Sequence, residues 1–204
     1  MSKGRLEAFS DGVIAIIITI MVLQLKVPAG AEPDALRPLI PTFLSYVISF
    51  VYVGIYWNNH HHLLQAARHV TGPLLWANLH LLFWLSLVPF VTAWMGENDF
   101  AAWPVALYGT VMLLAGVAYF ILAHILIAHH GKDSTLAVAL GSDIKGKISV
   151  AIYVAAIPLA FVQSFIACGL YVTVAIIWLI PDRRIEKVLA EDESIKEFKS
   201  WKQE

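Results

Sequence analysis

Apolar residues are gathered into long runs divided by short polar breaks. The first run, Phe9–Val27, is almost uninterrupted aliphatic sequence from Ile14 to Leu23, varied only by Ala15, Thr19 and Met21. As a helix it would reach about 28 Å at ~1.5 Å per residue, close to the ~30 Å hydrocarbon thickness of a bilayer. Comparable runs follow at Leu39–Trp57, Pro73–Met95, Trp103–Ala128, Ile148–Phe161 and Phe165–Ile180. The pattern predicts an all-α integral membrane protein with six transmembrane helices. The last two runs are short and separated only by Val162, Gln163 and Ser164. Pro158 and that polar break predict a tight turn at a membrane face in place of one long helix.

Two hydrophilic stretches remain, Gly131–Lys147 and the tail from Asp182 to Glu204. The tail mixes Glu186, Lys187, Glu191, Asp192, Glu193, Lys196, Glu197 and Lys199, which reads as a solvated helix. The expected organisation is therefore a transmembrane unit over 1–181 and a charged cytoplasmic tail over 182–204. No loop is long enough to hold a soluble catalytic domain.

Composition strengthens the membrane reading: 59% of residues are hydrophobic and 14% charged, too few charges to build a water-soluble surface. The front segment is expected to be retained, because Arg5 and Asp11 interrupt it, no small-residue cleavage site follows, and Gln24 and Lys26 close it. With the amino terminus in the cytoplasm, twelve of the fourteen Lys and Arg residues fall inside and only Lys26 and Arg37 outside. Both termini are therefore expected in the cytoplasm. Trp57, Trp94, Trp103 and Trp178 fall near the interfaces, where amphipathic rings prefer to sit. Small residues in the fourth run, Gly109, Ala115, Gly116 and Ala118, predict close helix packing. The single cysteine, Cys168, allows no internal disulfide.

Chemistry has few places to reside. Eight histidines include the run His60, His61 and His62, but consecutive helical residues point about 100° apart and do not converge on one ion. No metal site or cofactor is expected, and no nucleic-acid partner. His80 differs from most of the others: it falls inside the third run beside Asn78 and needs a partner there. Asp11 is the only acidic residue in the six runs, which argues against an enzyme and against a carrier with a mid-membrane carboxylate. Two readings of its surroundings stay open. In one, Ser10 or Asp11 caps the first helix while Arg5 reaches lipid headgroups. In the other, Arg5, Ser10 and Asp11 form a buried polar knot with Trp57, His60, Asn78 or His80.

Arg5, Phe9, Ser10 and Asp11 spell Arg-x-x-x-Phe-Ser-Asp. On this motif the chain resembles the transmembrane protein 175 family of potassium channels, whose six-helix repeats open with it. Gly12 through Ile17, Trp57 with His60, and Asn78 are also similar to family positions. The resemblance implies a homotetramer of single repeats, as in prokaryotic members, in the plasma membrane. It also implies a pore lined by the first helix, with apolar rings as the selectivity filter and Ile16 at the filter position. Ile16, Thr19, Ile20 and Leu23 share one helical face, as that role requires, with either Thr19 or Ile20 as the middle layer. The expected function is a potassium-preferring cation leak channel. The rival is a secondary carrier or facilitator for a small ion.

Overall fold

The computed structural model describes residues 2–65, 67, 69–130 and 144–179. Its helices are α1 (Lys3–Leu23), α2 (Ile40–Gln65), α3 (Gly72–Ser86), α4 (Val88–Glu97), α5 (Ala102–His130), α6 (Ile144–Leu159) and α7 (Ser164–Leu179). A 3-10 turn over Pro33–Leu39 leads into α2. The described residues are all-α, and α3 with α4 makes one nearly continuous rod, so six rods are present among them. The tail over 182–204, most of the 131–147 connector and Arg68 lie outside the described residues.

The boundaries depart from the hydropathy runs in instructive ways. Helix α1 begins six residues before Phe9, so Ser10 and Asp11 sit inside the helix and the capping reading of them fails. Helix α2 runs past Trp57 to Gln65, because Asn and His cost a helix little once its apolar length is packed. The third run is interrupted at Leu87, which ends α3 and starts α4 with φ −85° and ψ −13°. Pro89 is the cause: it has no N–H to give the Leu85 carbonyl, and its ring crowds that turn. Among the described residues four segments are long and apolar enough to cross a membrane: Lys3–Leu23, Pro33–Gln65, Gly72–Glu97 and Ala102–Ala128. The described parts of α6 and α7, 16 residues each, extend about 24 Å at ~1.5 Å per residue.

Contacts at the helix ends define the winding. Lys3 Nζ donates to the Gln65 carbonyl at 2.7 Å, pairing the start of α1 with the end of α2. At the opposite end Lys26 meets Glu97 at 2.7 Å. Trp103 packs on Phe161 and Phe100 on Phe165, so the start of α5 meets the end of α6 and the start of α7. Successive rods therefore alternate in direction, and Leu179 ends on the same face as Lys3. The turn before α5 is a Schellman motif, with Phe100 N–H bonded to Met95 O and Asp99 N–H to Gly96 O. Asp99 takes the left-handed position at φ 49° that glycine usually fills.

Lipid offers no hydrophobic force to drive one helix onto another, so small residues and hydroxyls do the joining. Gly96 of α4 rests on Thr42 and Ser45 of α2, where a Cβ would overlap both. Thr92 Oγ1 donates to Ser49 Oγ at 2.7 Å, and Ser49 Oγ to Tyr108 Oη at 3.1 Å, which ties α4, α2 and α5 together. Tyr153 Oη donates to Tyr52 Oη at 3.0 Å, and Tyr52 donates onward to the Tyr171 carbonyl. Gly109 of α5 faces the Tyr171 ring, whose hydroxyl donates to Val105 O at 3.2 Å. A methyl group there would collide with that hydroxyl. Gly109→Ala is expected to destabilise the protein by about 1–3 kcal/mol, the usual cost of overpacking a core. Gly169→Ala, where a Cβ meets open space, should leave the thermal midpoint in detergent unchanged.

Candidate functional site

Helix α1 has two faces of opposite character. Leu6, Ser10, Ile14, Ile17 and Met21 are buried against the bundle. Arg5, Phe9, Gly12, Ile16, Thr19, Ile20 and Leu23 form the opposite stripe and are exposed, Ile16 at 57% and Leu23 at 79%. The stripe follows from helical periodicity, because α1 packs on α2, α3 and α4 from one side. Thr19 does not present a free hydroxyl proton along it: Oγ1 donates back to Ile16 O at 2.9 Å, with Ala15 O at 3.1 Å. A groove of about 550 Å³ flanks the stripe, lined by Ile16, Ile20, Pro89, Phe90 and Trp94, and it reaches Glu97 at the Lys26 ion pair.

The buried face is anchored by a directed chain of hydrogen bonds. Ser10 donates to the Leu6 carbonyl at 2.8 Å, so its oxygen can only accept from Asn78 Nδ2, 2.9 Å away. The Asn78 amide is thereby oriented with Oδ1 toward His60 Nε2 at 2.7 Å. His60 must carry its proton on Nε2 to complete the chain. Ser10, Asn78 and His60 are essentially inaccessible, at 0%, 0% and 1% exposure. Three helices, α1, α3 and α2, are joined by three side chains. A second tie on the half-exposed side joins Trp57 Nε1 to Asp11 Oδ1 at 3.1 Å.

Arg5 and His80 of the expected knot, and Phe9 of the motif, lie elsewhere. Arg5 is exposed and has no ion pair among the described residues. Phe9 is half exposed. His80 faces outward and accepts from Trp84 Nε1 at 2.9 Å on its own helix. The reason is angular: two helical positions separate His80 from Asn78, which places them on opposite sides of α3. Among the described residues, no three His, Cys, Asp or Glu side chains come together as a metal site would need. The hydroxyl chains around Ser49 and Tyr52 were not anticipated, although Ser45 and Ser49 at a four-residue spacing on an apolar helix are the signal for them.

A family model described as the endosomal/lysosomal potassium channel TMEM175 matches residues 5–89, the segment holding this anchor. A protein from Chryseobacterium sp. named a potassium channel is 56% identical over 192 residues, covering 94% of this chain and 100% of the relative. The chain belongs to the TMEM175 family. It is accordingly an ion-channel family member and not an enzyme. A crystal structure of a TMEM175 homolog from Chamaesiphon minutus, described as a lysosomal potassium-selective channel, superposes with a TM-score of 0.77. It has 27% sequence identity and covers 88% of this chain and 97% of that one. The human TMEM175, named an endosomal/lysosomal proton channel, is 34% identical over 116 residues, 51% of this chain but only 23% of the human protein.

Removing the middle of the anchor should be costly. Asn78→Ala strands the buried His60 and Ser10 groups and is expected to lower stability by about 1–3 kcal/mol. Trp57→Phe, which loses one half-exposed bond, should cost less. Thermal unfolding of both variants in detergent would contradict this assignment if their midpoints fell together.

Proposed function

We propose that four copies of the chain form a potassium-preferring cation leak channel, with α1 of each lining a central pore in the plasma membrane of a prokaryote. The observation that carries this reading is the exposed stripe of α1, opposite a face held by buried hydrogen bonds. An apolar stripe on an otherwise anchored helix suits a symmetric assembly in which the stripes meet. The full-length similarity to a bacterial relative named a potassium channel supports potassium over the proton named for the animal relatives, which share only a fraction of their length.

Selectivity in this arrangement comes from water and not from ligands. A ring of four Ile16 side chains offers a cation no oxygen atoms, so passage requires partial dehydration, which is cheaper for potassium than for sodium. The same ring can expel water and close the path, which unites filter and gate. The engaged Thr19 hydroxyl leaves Ile16, Ile20 and Leu23 as apolar layers, with Ile20 preferred to Thr19 as the middle one. Asp11, held by Trp57, lies toward the amino-terminal end of the helix. A carrier would need a binding site with converging polar groups at mid-membrane, and this stripe has none among the described residues.

Reversal potentials under opposed potassium and sodium gradients test the filter. Ile16→Asn places four amides where water was excluded and should move the permeability ratio toward unity while conductance holds or rises. Ile17→Asn, on the buried face, should instead lower stability. An unchanged reversal potential in an assembled, conducting Ile16→Asn protein would locate the filter elsewhere. Reporter fusions at Glu204 and within 29–37 are expected on opposite sides of the membrane, with Glu204 cytoplasmic.

A further inference from the structure

A second cavity lies away from α1, between α2, α5, α6 and α7, with a volume of about 490 Å³. Its inner wall is Tyr52, Tyr56 and Asn59 of α2 with Tyr153 of α6 and Trp178 of α7. The side-chain donors of that wall are engaged inside the protein. Asn59 donates to Ile55 O, Tyr56 to Met112 O, Tyr153 to Tyr52 Oη, and Trp178 Nε1 to Ser149 Oγ. What faces the cavity is therefore hydrocarbon and ring surface. Gly116 leaves room on the α5 side, where a Cβ would still stand 3.6 Å from Tyr56 Oη.

The mouth is distinct from the wall. Val117 and Phe120 of α5 and Val150 of α6 line it and are exposed, so the cavity opens sideways between two apolar helices. Lys147, one turn before Val150, is also exposed at the rim and has no acidic partner among the described residues. The rim lies at the end of the bundle where α2 and α5 finish and α6 begins, the face shared with Lys3. A cleft of this size, lined mainly by apolar and aromatic side chains with one charge at its edge, has the character of a ligand site. A basic group at the edge of a cleft between membrane helices favours an anionic headgroup.

We propose that this cavity binds one acyl chain of an anionic phospholipid, the chain entering between α5 and α6 and the headgroup phosphate pairing with Lys147. The assignment requires only that the helices lie in a bilayer, so it stands apart from the pore on α1. Charge complementarity selects the occupant: an apolar chain satisfies the wall, and only a headgroup of net negative charge gains from the rim. Bound there, the lipid would wedge α5 against α6 and join α2 to α7 through the tyrosine wall.

The experiment uses the purified full chain in detergent, titrated with phosphatidylglycerol or with phosphatidylcholine of identical chains, and counts bound lipid by native mass spectrometry. Phosphatidylglycerol is expected to bind about fivefold more tightly, the effect of one basic residue on an anionic lipid. Lys147→Gln should erase that preference and leave phosphatidylcholine binding unchanged. Gly116→Phe should remove binding of both lipids; Val117→Trp at the mouth serves the same purpose should the first variant misfold. Phosphatidylglycerol with a photoreactive group in its chain should label 113–120 and 146–153. Equal binding of the two lipids by the native protein, a preference that survives Lys147→Gln, or labelling confined to other helices would overturn the proposal. So would a cross-linker at position 150 that captures the chain's own 131–143 in place of lipid. None of these readouts involves conduction, so failure here is separate from failure of the channel reading.

Discussion

The hydrogen-bond chain from His60 through Asn78 to Ser10 is the constraint on which the arrangement depends. In a bilayer, an apolar helix gains little from facing protein over facing lipid, so hydropathy alone leaves its rotation free. A buried serine removes that freedom. Ser10 satisfies its own proton on Leu6 O and must meet Asn78, which must in turn meet His60. Any rotation of α1 about its axis would break the Ser10–Asn78 bond and leave the buried Asn78 Nδ2 donor without its partner in a medium that offers none. Fixing the Ser10 side of α1 also fixes which side is left over, and that side carries Ile16, Ile20 and Leu23.

The same economy recurs in the rest of the bundle. Ser49, Thr92 and Tyr108 join α2, α4 and α5, and Tyr52 and Tyr153 extend the pattern to α6 and α7. Each hydroxyl pairs with another or with a carbonyl, so the helices interlock without a buried charge. Glycines at 96 and 109 let the backbones approach where these contacts form. The ion pair between Lys26 and Glu97 lies at the opposite end of the bundle from the Lys3 contact, where charge is readily solvated.

Polar atoms are thus concentrated inside the bundle, while the stripe of α1 is nearly devoid of them. Even Thr19, the exception on that stripe, turns its hydroxyl to the helix backbone. In the proposed channel this division would have a mechanical meaning. Under that proposal an apolar lining discriminates ions through the cost of dehydrating them, and the rigid anchor behind it would keep the ring diameter from adjusting to each ion. The break at Leu87 lies beside the groove next to this stripe, between Ser86 and Pro89 of its lining.

Much of this was legible along the chain because hydropathy and helical angle are one-dimensional properties. The apolar runs foretold the rods, the break at 162–164 foretold the turn before α7, and the exposed face of α1 follows from offsets of three, four and seven. The expected knot grouped Arg5 with Ser10 and allowed His80 beside Asn78, and the structure separates both pairs because the members of each lie on different faces of their helix. What the sequence could not reveal were the partners. Pro89 breaks a rod without disturbing its hydropathy, and the tyrosine wall of the second cavity draws on α2, α6 and α7 at once. Ser10 and Asn78 stand 68 residues apart. Sequence by itself determined that α1 has a polar residue needing burial and an apolar stripe opposite; only the tertiary structure decided that Asn78 meets it, because that contact depends on how separately formed helices lie side by side.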